Sequence, residues 1–204
     1  TSDITFNNNA ASQTSGLTYS GTTAASTDRV LSIALGSGAI TTAHTITISN
    51  TSTAAGANLV FTSNLKNTTN TSALAPTLIF SGTNPTADVN EFRGNLINST
   101  ATGNKLLNVS KTGANTWKLG GTNTYTGTTT ISAGTLIFGK QVSLYNNTPA
   151  SWTATNITVS SGATLGLNVG GTGEFTSTDV ATIAALGTAT NGFLGGSAIA
   201  LDTT

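Results

Sequence analysis

Chemistry on a polysaccharide or a small polar molecule needs ionisable side chains gathered within several ångströms, and this chain has few to gather. Its acids are Asp3, Asp28, Asp88, Glu91, Glu174, Asp179 and Asp202, spread from one end to the other. General acid–base work on a glycosidic bond asks for two such groups at one centre. Only Asp88, Glu91 and Arg93 stand together, in the stretch after Pro85. A charge-paired surface turn outweighs a sugar-binding or catalytic cluster as the reading of this trio, because exposed ion pairs are common and carry little. Glu174 and Asp179 flank a helix start, where carboxylates cap amide groups and meet the helix dipole. His44 is the sole histidine; without cysteine or a second histidine it makes no zinc site, and it reads as a surface strand residue. The serines lack a nucleophile elbow and a histidine partner. Gly195-Gly196 lacks the lysine and helix of a phosphate loop, and no Gly-Gly-x-Gly-x-Asp calcium repeat occurs. The expectation is therefore no catalytic, cofactor-binding or metal-ligating residue, and no cofactor. The sequons Asn50-Thr51-Ser52, Asn98-Ser99-Thr100 and Asn156-Ile157-Thr158 arise by chance in a chain so rich in Asn and Thr.

The elements that would have to position any site follow from composition. Seven Lys+Arg balance seven Asp+Glu, and charged residues make up 7% of the chain, against about 25% in an ordinary soluble domain. Such a balance leaves no electrostatic footprint for nucleic acid or an anionic bilayer. Thr supplies roughly a fifth of the residues; it is β-branched, favours extended backbone and presents neutral hydroxyls to water. A hydrophobic fraction of 37% with zero net charge argues against disorder. Cysteine is absent, so there is neither disulfide stapling nor a thiolate site. No apolar run approaches the roughly twenty residues of a membrane-spanning helix. The chain opens at Thr1 with neither Met nor a signal pattern, as expected of a mature, processed chain or an excerpt from a longer one.

Apolar pairs recur along the chain. The clusters beginning at Leu59, Leu78, Leu96, Trp117, Leu136 and Ile157 follow one another at intervals of about 20 residues, near the short end of solenoid periods. Within them the period is two, as in Thr45-Ile46-Thr47-Ile48-Ser49 and Thr135-Leu136-Ile137-Phe138, which places alternate side chains on one face. Further strands are expected at Leu106 to Val109, Thr128 to Ile131 and Leu165 to Val169. Turn-formers such as Gly120-Gly121, Gly127 and Gly134 separate them. A hairpin sandwich shares the strand spacing but does not explain the longer recurrence or the stackable Thr and Asn. At about 20 residues per coil the chain would form roughly ten coils and a rod about 50 Å long. Ser177 to Leu186, followed by Gly187, reads as a short capped helix over an end or a side of the coil.

The stretch from Lys111-Thr112-Gly113 through Trp117-Lys118-Leu119-Gly120-Gly121, Thr122-Asn123-Thr124-Tyr125-Thr126-Gly127 and Thr128-Thr129-Thr130-Ile131 to Ala133-Gly134-Thr135-Leu136 closely resembles the autotransporter-associated β-strand repeat. Ser160-Ser161-Gly162-Ala163-Thr164-Leu165 resembles a degenerate continuation, and residues 1 to 100 share only its general style. The resemblance implies a right-handed parallel β-helix in a secreted or surface-attached bacterial protein. It carries over no catalytic residue. In the motif, Gly127 and Gly134 make corners, Trp117 and Tyr125 supply apolar area near them, and the Thr run forms an outward ladder.

The reading is thus all-β: a right-handed parallel β-helix (β-solenoid) with one short α-helix near the C-terminus. It forms one domain over 1–204, with its clearest repeat at 105–140 and a short capping helix at 177–186. Its expected function is that of an extracellular structural module of a bacterial surface fibre, stalk or coat. The alternative is an adhesin holding glycans through Thr/Asn ladders, and a polysaccharide enzyme ranks below both. The strand-like ends, Asp3 to Phe6 and Ala198 to Leu201, expose open edges that recruit further strands, so self-association into a fibre, or continuation of a longer repeat chain, is the expected partnership.

Overall fold

The computed structural model describes residues 2–8, 14–35, 44–68, 75–100, 106–187 and 191–203. Alternating apolar and hydroxyl residues form short strands, and the chain lays them down in rungs. The first rung holds β1 (Ile4–Asn8), β2 (Thr14–Tyr19) and β3 (Ala25–Thr27). The second holds β4 (Leu31–Leu35), β5 (Thr45–Asn50) and β6 (Leu59–Phe61), and the third β7 (Lys66–Asn67), β8 (Thr77–Gly82) and β9 (Val89–Phe92). Later rungs carry two strands each: β10 (Asn108–Lys111) with β11 (Thr116–Leu119), and β12 (Thr129–Ile131) with β13 (Thr135–Phe138). The last two pair β14 (Ile157–Val159) with β15 (Thr164–Asn168) and β16 (Gly192–Phe193) with β17 (Ala198–Asp202).

Each strand pairs in parallel with its counterpart one rung away, giving a three-stranded first side and seven-stranded second and third sides. Parallel pairing at every step excludes the hairpin sandwich, whose neighbours run antiparallel. The chain is a parallel β-solenoid, as its sequence implies.

The coil length differs from expectation. On the second side Thr14 pairs with Thr45, Thr45 with Thr77 and Thr77 with Asn108. Each of these steps is about 30 residues, well above the shortest solenoid repeats. Val109 then pairs with Thr129, a much shorter step, before the steps lengthen again through Thr129–Ile157 and Thr158–Gly192. Seven rungs stacked about 4.8 Å apart make a stack about 30 Å long. The shorter recurrence in the sequence mixes sides: Leu59 and Trp117 lie on the third side, Leu78 and Ile157 on the second, and Leu96 on the first, next to the Leu65–Asn95 backbone bond. Only Trp117–Leu136 is a true rung-to-rung pair.

Inward positions superpose into columns. Phe61, Phe92, Leu119, Phe138 and Leu167 follow one another up the third side, all buried. Phe92 stacks on Phe61 with ring centroids 5.8 Å apart, and Phe80 meets Trp117 at 5.0 Å. Such offset aromatic pairs contribute about 1 kcal/mol beyond burial.

Beyond β7 the first side has no strand ladder among the described residues, and asparagine side chains take its place. Asn64 Oδ1 accepts from Asn95 N at 2.9 Å, Asn95 Oδ1 from Thr122 N at 2.8 Å, and Asn98 Oδ1 from Thr126 N at 3.1 Å. An amide oxygen thus satisfies the N–H that a neighbouring strand would otherwise meet. The expected helix is α1 (Ser177–Ala184), on the connection from β15 to β16. Its N-cap is Thr176, one residue before the expected start, and Thr176 and Asp179 bond each other's backbone N–H in a capping box.

Candidate functional site

The trio singled out after Pro85 is divided by the strand it leads into. Asp88 turns back to accept from Gly56 N at 2.8 Å, whereas Glu91 lies on β9 and accepts from Arg93 Nε at 2.6 Å. Glu91 pairs in register with Lys118 on β11, so two opposite charges are neighbours on the outer surface of the third side. One position past the inward column the chain places Arg93, Gly120, Gly139 and Asn168 in successive rungs, as shown by Gly120 N donating to Phe92 O and Gly139 N to Leu119 O, each at 2.9 Å. The two glycines leave a gap between the end residues: a Cβ on Gly139 would stand 2.8 Å from Lys118 Cε, and one on Gly120 would stand 3.3 Å from Glu91 Oε1.

The gap is a groove of about 380 Å³, walled by Arg93, Lys118, Lys140, Glu91 and Glu174, with Asn168 among its lining residues. Three of the seven basic and two of the seven acidic residues of the chain therefore meet at one place. Glu91 is engaged by Arg93, and Glu174 Oε2 accepts from Gly171 N at 2.7 Å. Lys118 and Lys140 form no ion pair among the described residues. Asn168 is 2% exposed, and its Oδ1 is buried without a hydrogen-bond partner. Sequence reasoning missed this groove because Lys118, Gly139, Lys140 and Asn168 are not contiguous in the chain with Glu91 and Arg93; only the rung register gathers them.

Two further polar clusters are internal. Lys111 occupies the inward column between Phe80 and Ile131, and it is fully buried. Its Nζ donates to the carbonyls of Thr112 at 2.7 Å, Gly113 at 2.8 Å and Ala133 at 3.3 Å, closing the corner that leads to the third side. Burial holds its ammonium down at about 8. Thr129, placed in the outward ladder by the sequence reading, points inward instead: its Oγ1 lies 2.7 Å from Tyr125 Oη and 3.0 Å from Tyr145 Oη. The two rings lie 4.9 Å apart. Burial pushes the Tyr145 phenol up to about 12 and that of Tyr125 well above its ordinary value.

His44 is 1% exposed, a correction to its reading as a surface residue, and neither ring nitrogen has a hydrogen-bond partner. Desolvation lowers its pKa. Asp179 caps α1 and accepts from Gln141 Nε2 at 2.6 Å, fixing the helix to the side of the coil. Glu174 caps the Gly171 turn and not the helix. Among the described residues no three of His, Cys, Asp and Glu gather as a metal would require, and no helix is long and apolar enough to cross a membrane. A Thr/Asn row of the kind expected on the surface is present: Thr14, Thr45, Thr77 and Asn108 stand in register, with Thr45 Oγ1 donating to Thr14 Oγ1 at 3.1 Å.

Rungs, columns and asparagine corners together define a parallel β-solenoid protein. Residues 109–138, from β10 to the end of β13, match the family model of the passenger-associated-transport-repeat. This agrees with the autotransporter-associated β-strand repeat that the same stretch resembles, and it covers the short step from Val109 to Thr129. No curated protein and no solved structure matches the chain.

Proposed function

We propose that this chain is a rigid spacer of a passenger-type bacterial surface protein, extracellular or on the cell surface, whose coils are continued past β17, by a second copy stacked head to tail or by further coils of a longer repeat chain. The repeat and the β-solenoid fold fit a passenger-type surface protein, and passenger domains are surface-exposed or secreted. The observation that carries the head-to-tail reading is Leu201. It follows Leu167 in the third-side column, where every earlier member from Phe61 is buried, yet it is 53% exposed. Beside it Val169, Phe175 and Val180 line a largely apolar groove of about 490 Å³. A further rung would bury Leu201 as β17 buries Leu167, and a strand with an unpaired edge recruits another strand. Such a heterologous contact does not close on itself and grows into a filament.

Sedimentation of the purified chain over a range of concentrations tests this. Self-association that Leu201→Asp suppresses is the expected result. A monomer at all concentrations, with both terminal rungs protected from hydrogen exchange, would refute it. The Thr/Asn row from Thr14 to Asn108 supports a second reading, adhesion to neutral glycans; absence of binding across a glycan array would sink it.

A further inference from the structure

On the outer face of the second side the rung register turns a bias of composition into an array. Its central row runs Thr47, Ile79, Ser110, Thr130 and Thr158, each in register with the next. Two residues earlier on the strands stands the row from Thr14 to Asn108, extended by Thr128, whose Oγ1 donates to Asn108 Oδ1 at 3.3 Å. Two residues later Thr18, Ser49 and Ser81 stand in register, and Thr112 Oγ1 donates to Ser81 Oγ at 3.0 Å. None of these side chains is charged, aromatic or buried, whereas the third side turns Glu91 and Lys118 outward. The flanking rows are fixed in part by their own bonds, Thr45 to Thr14 among them. The hydroxyls of Thr47, Ser110, Thr130 and Thr158 make no hydrogen bond among the described residues and are open to solvent.

Rungs stand about 4.8 Å apart. In a tetrahedral water lattice, hydrogen bonds of about 2.8 Å place two oxygens that share a neighbour about 4.5 Å apart. The central row therefore repeats at nearly the spacing of ordered water. Across the rows the step is two residues, about 6.6 Å, against an axial repeat in ice of eight-thirds of a hydrogen bond, about 7.4 Å. This looser fit builds up over two steps only, while the close one runs along the rungs. A single sugar gains little on such a face, which has no ring to stack on and where water competes for every hydroxyl. A partner with the same repeat makes many weak contacts at once.

We propose that this face binds ice, with the hydroxyls of the central row standing in for water oxygens of the lattice and the Thr methyls and Ile79 lying against it. The inference goes beyond both readings of function, since it uses neither the β17 edge nor a glycan.

The experiment is partition of the labelled intact chain onto a slowly growing ice surface, with serum albumin as the excluded control and microcrystalline cellulose as the competing solid. Enrichment of about tenfold in the ice over albumin is expected, as many registered contacts give. Thr47→Lys and Thr130→Lys should each cut it about fivefold, because a solvated charge holds the lattice off the row. Ser26→Lys, an exposed change on the third side, should leave it unchanged. Exclusion from ice like albumin, or enrichment indifferent to both central-row substitutions, would overturn the proposal. Equal loss in Ser26→Lys would overturn the choice of face. Stronger retention on cellulose than on ice, lost in the same two variants, would reassign the face to an ordered polysaccharide. Thermal melts of each variant separate lost binding from lost folding. Leu201→Asp should keep its ice affinity while losing self-association, so this proposal and the assembly reading fail separately.

Discussion

Asn50 Nδ2 donates to Asn90 Oδ1 at 2.7 Å inside the solenoid, although 40 residues separate them in the chain. Asn90 also accepts from Leu59 N at 3.0 Å and donates to Asn84 Oδ1 at 2.9 Å and Thr116 O at 3.1 Å. One side chain thus ties neighbouring rungs at a buried corner; without it Leu59 N loses its acceptor, while Asn50 Nδ2 keeps Ala57 O and Asn84 Oδ1 keeps Asn115 Nδ2. Asn90→Ala is expected to cost about 2–4 kcal/mol, the buried Leu59 N–H left unsatisfied at about 1–3 kcal/mol together with the other bonds lost. The exposed Asn64→Ala should cost about 1 kcal/mol or less. Urea midpoints of the two variants decide the matter; similar shifts would mean that the corner network is dispensable.

Column positions should be equally unforgiving. Leu119 and Leu136 are fully buried on the third side, whereas Thr130 is half-buried on the second. An unpaired carboxylate in an apolar column bears a large desolvation cost, so Leu119→Asp or Leu136→Asp should lower the melting temperature far more than Thr130→Asp. Equal shifts would show that the faces are misassigned.

Stability should rise and then fall with pH on the alkaline side. Lys111 has a folded pKa of about 8 against 10.5 for an ordinary lysine. Between those values the unfolded chain holds the proton and the folded one does not, so stability increases with pH by up to about 3 kcal/mol. The raised phenols of Tyr125 and Tyr145 act oppositely: above about pH 10 the unfolded chain loses their protons first, and stability declines. A maximum at about pH 10 is expected in the melting temperature, and Lys111→Met should flatten the rise while leaving the decline.

Glycines on the first-side corner are expected to matter by contact and not only by flexibility. A Cβ on Gly121 would lie 2.1 Å from the Gly94 carbonyl oxygen, and one on Gly94 would lie 1.9 Å from that of Ser63. Successive backbones stack there with no room between them. Gly121→Ala should cost several kcal/mol, as overpacking against backbone does, while Gly195→Ala, with nothing within 4 Å, should be near neutral. Thermal unfolding of the two variants gives the comparison.

The strands were legible because period-two alternation is local: Thr135–Phe138 is visible in a single short run. The coil length was not, since a recurrence of apolar clusters does not say which side each cluster occupies, and Leu59, Leu78 and Leu96 fall on three different sides. Thr129 and Lys111 resisted reading for a related reason. Both belong to residue types that usually face water, and their inward turn is compensated by partners met only once rungs stack, the two tyrosines and the corner carbonyls. The groove carries no contiguous motif, so its assembly from rungs three to six left no trace along the chain.

The contrast between the long step from Thr77 to Asn108 and the short one from Val109 to Thr129 separates two dimensions of the rod. Each rung adds about 4.8 Å of height whatever its residue count, because height is set by the ladders of the second and third sides. Residues added or lost on the first side, where asparagine amides replace a strand, change only girth. Reach along the axis is therefore counted in rungs, and insertions or deletions at the first side can widen or thin the shaft without changing how far it extends or how its two ladders are registered.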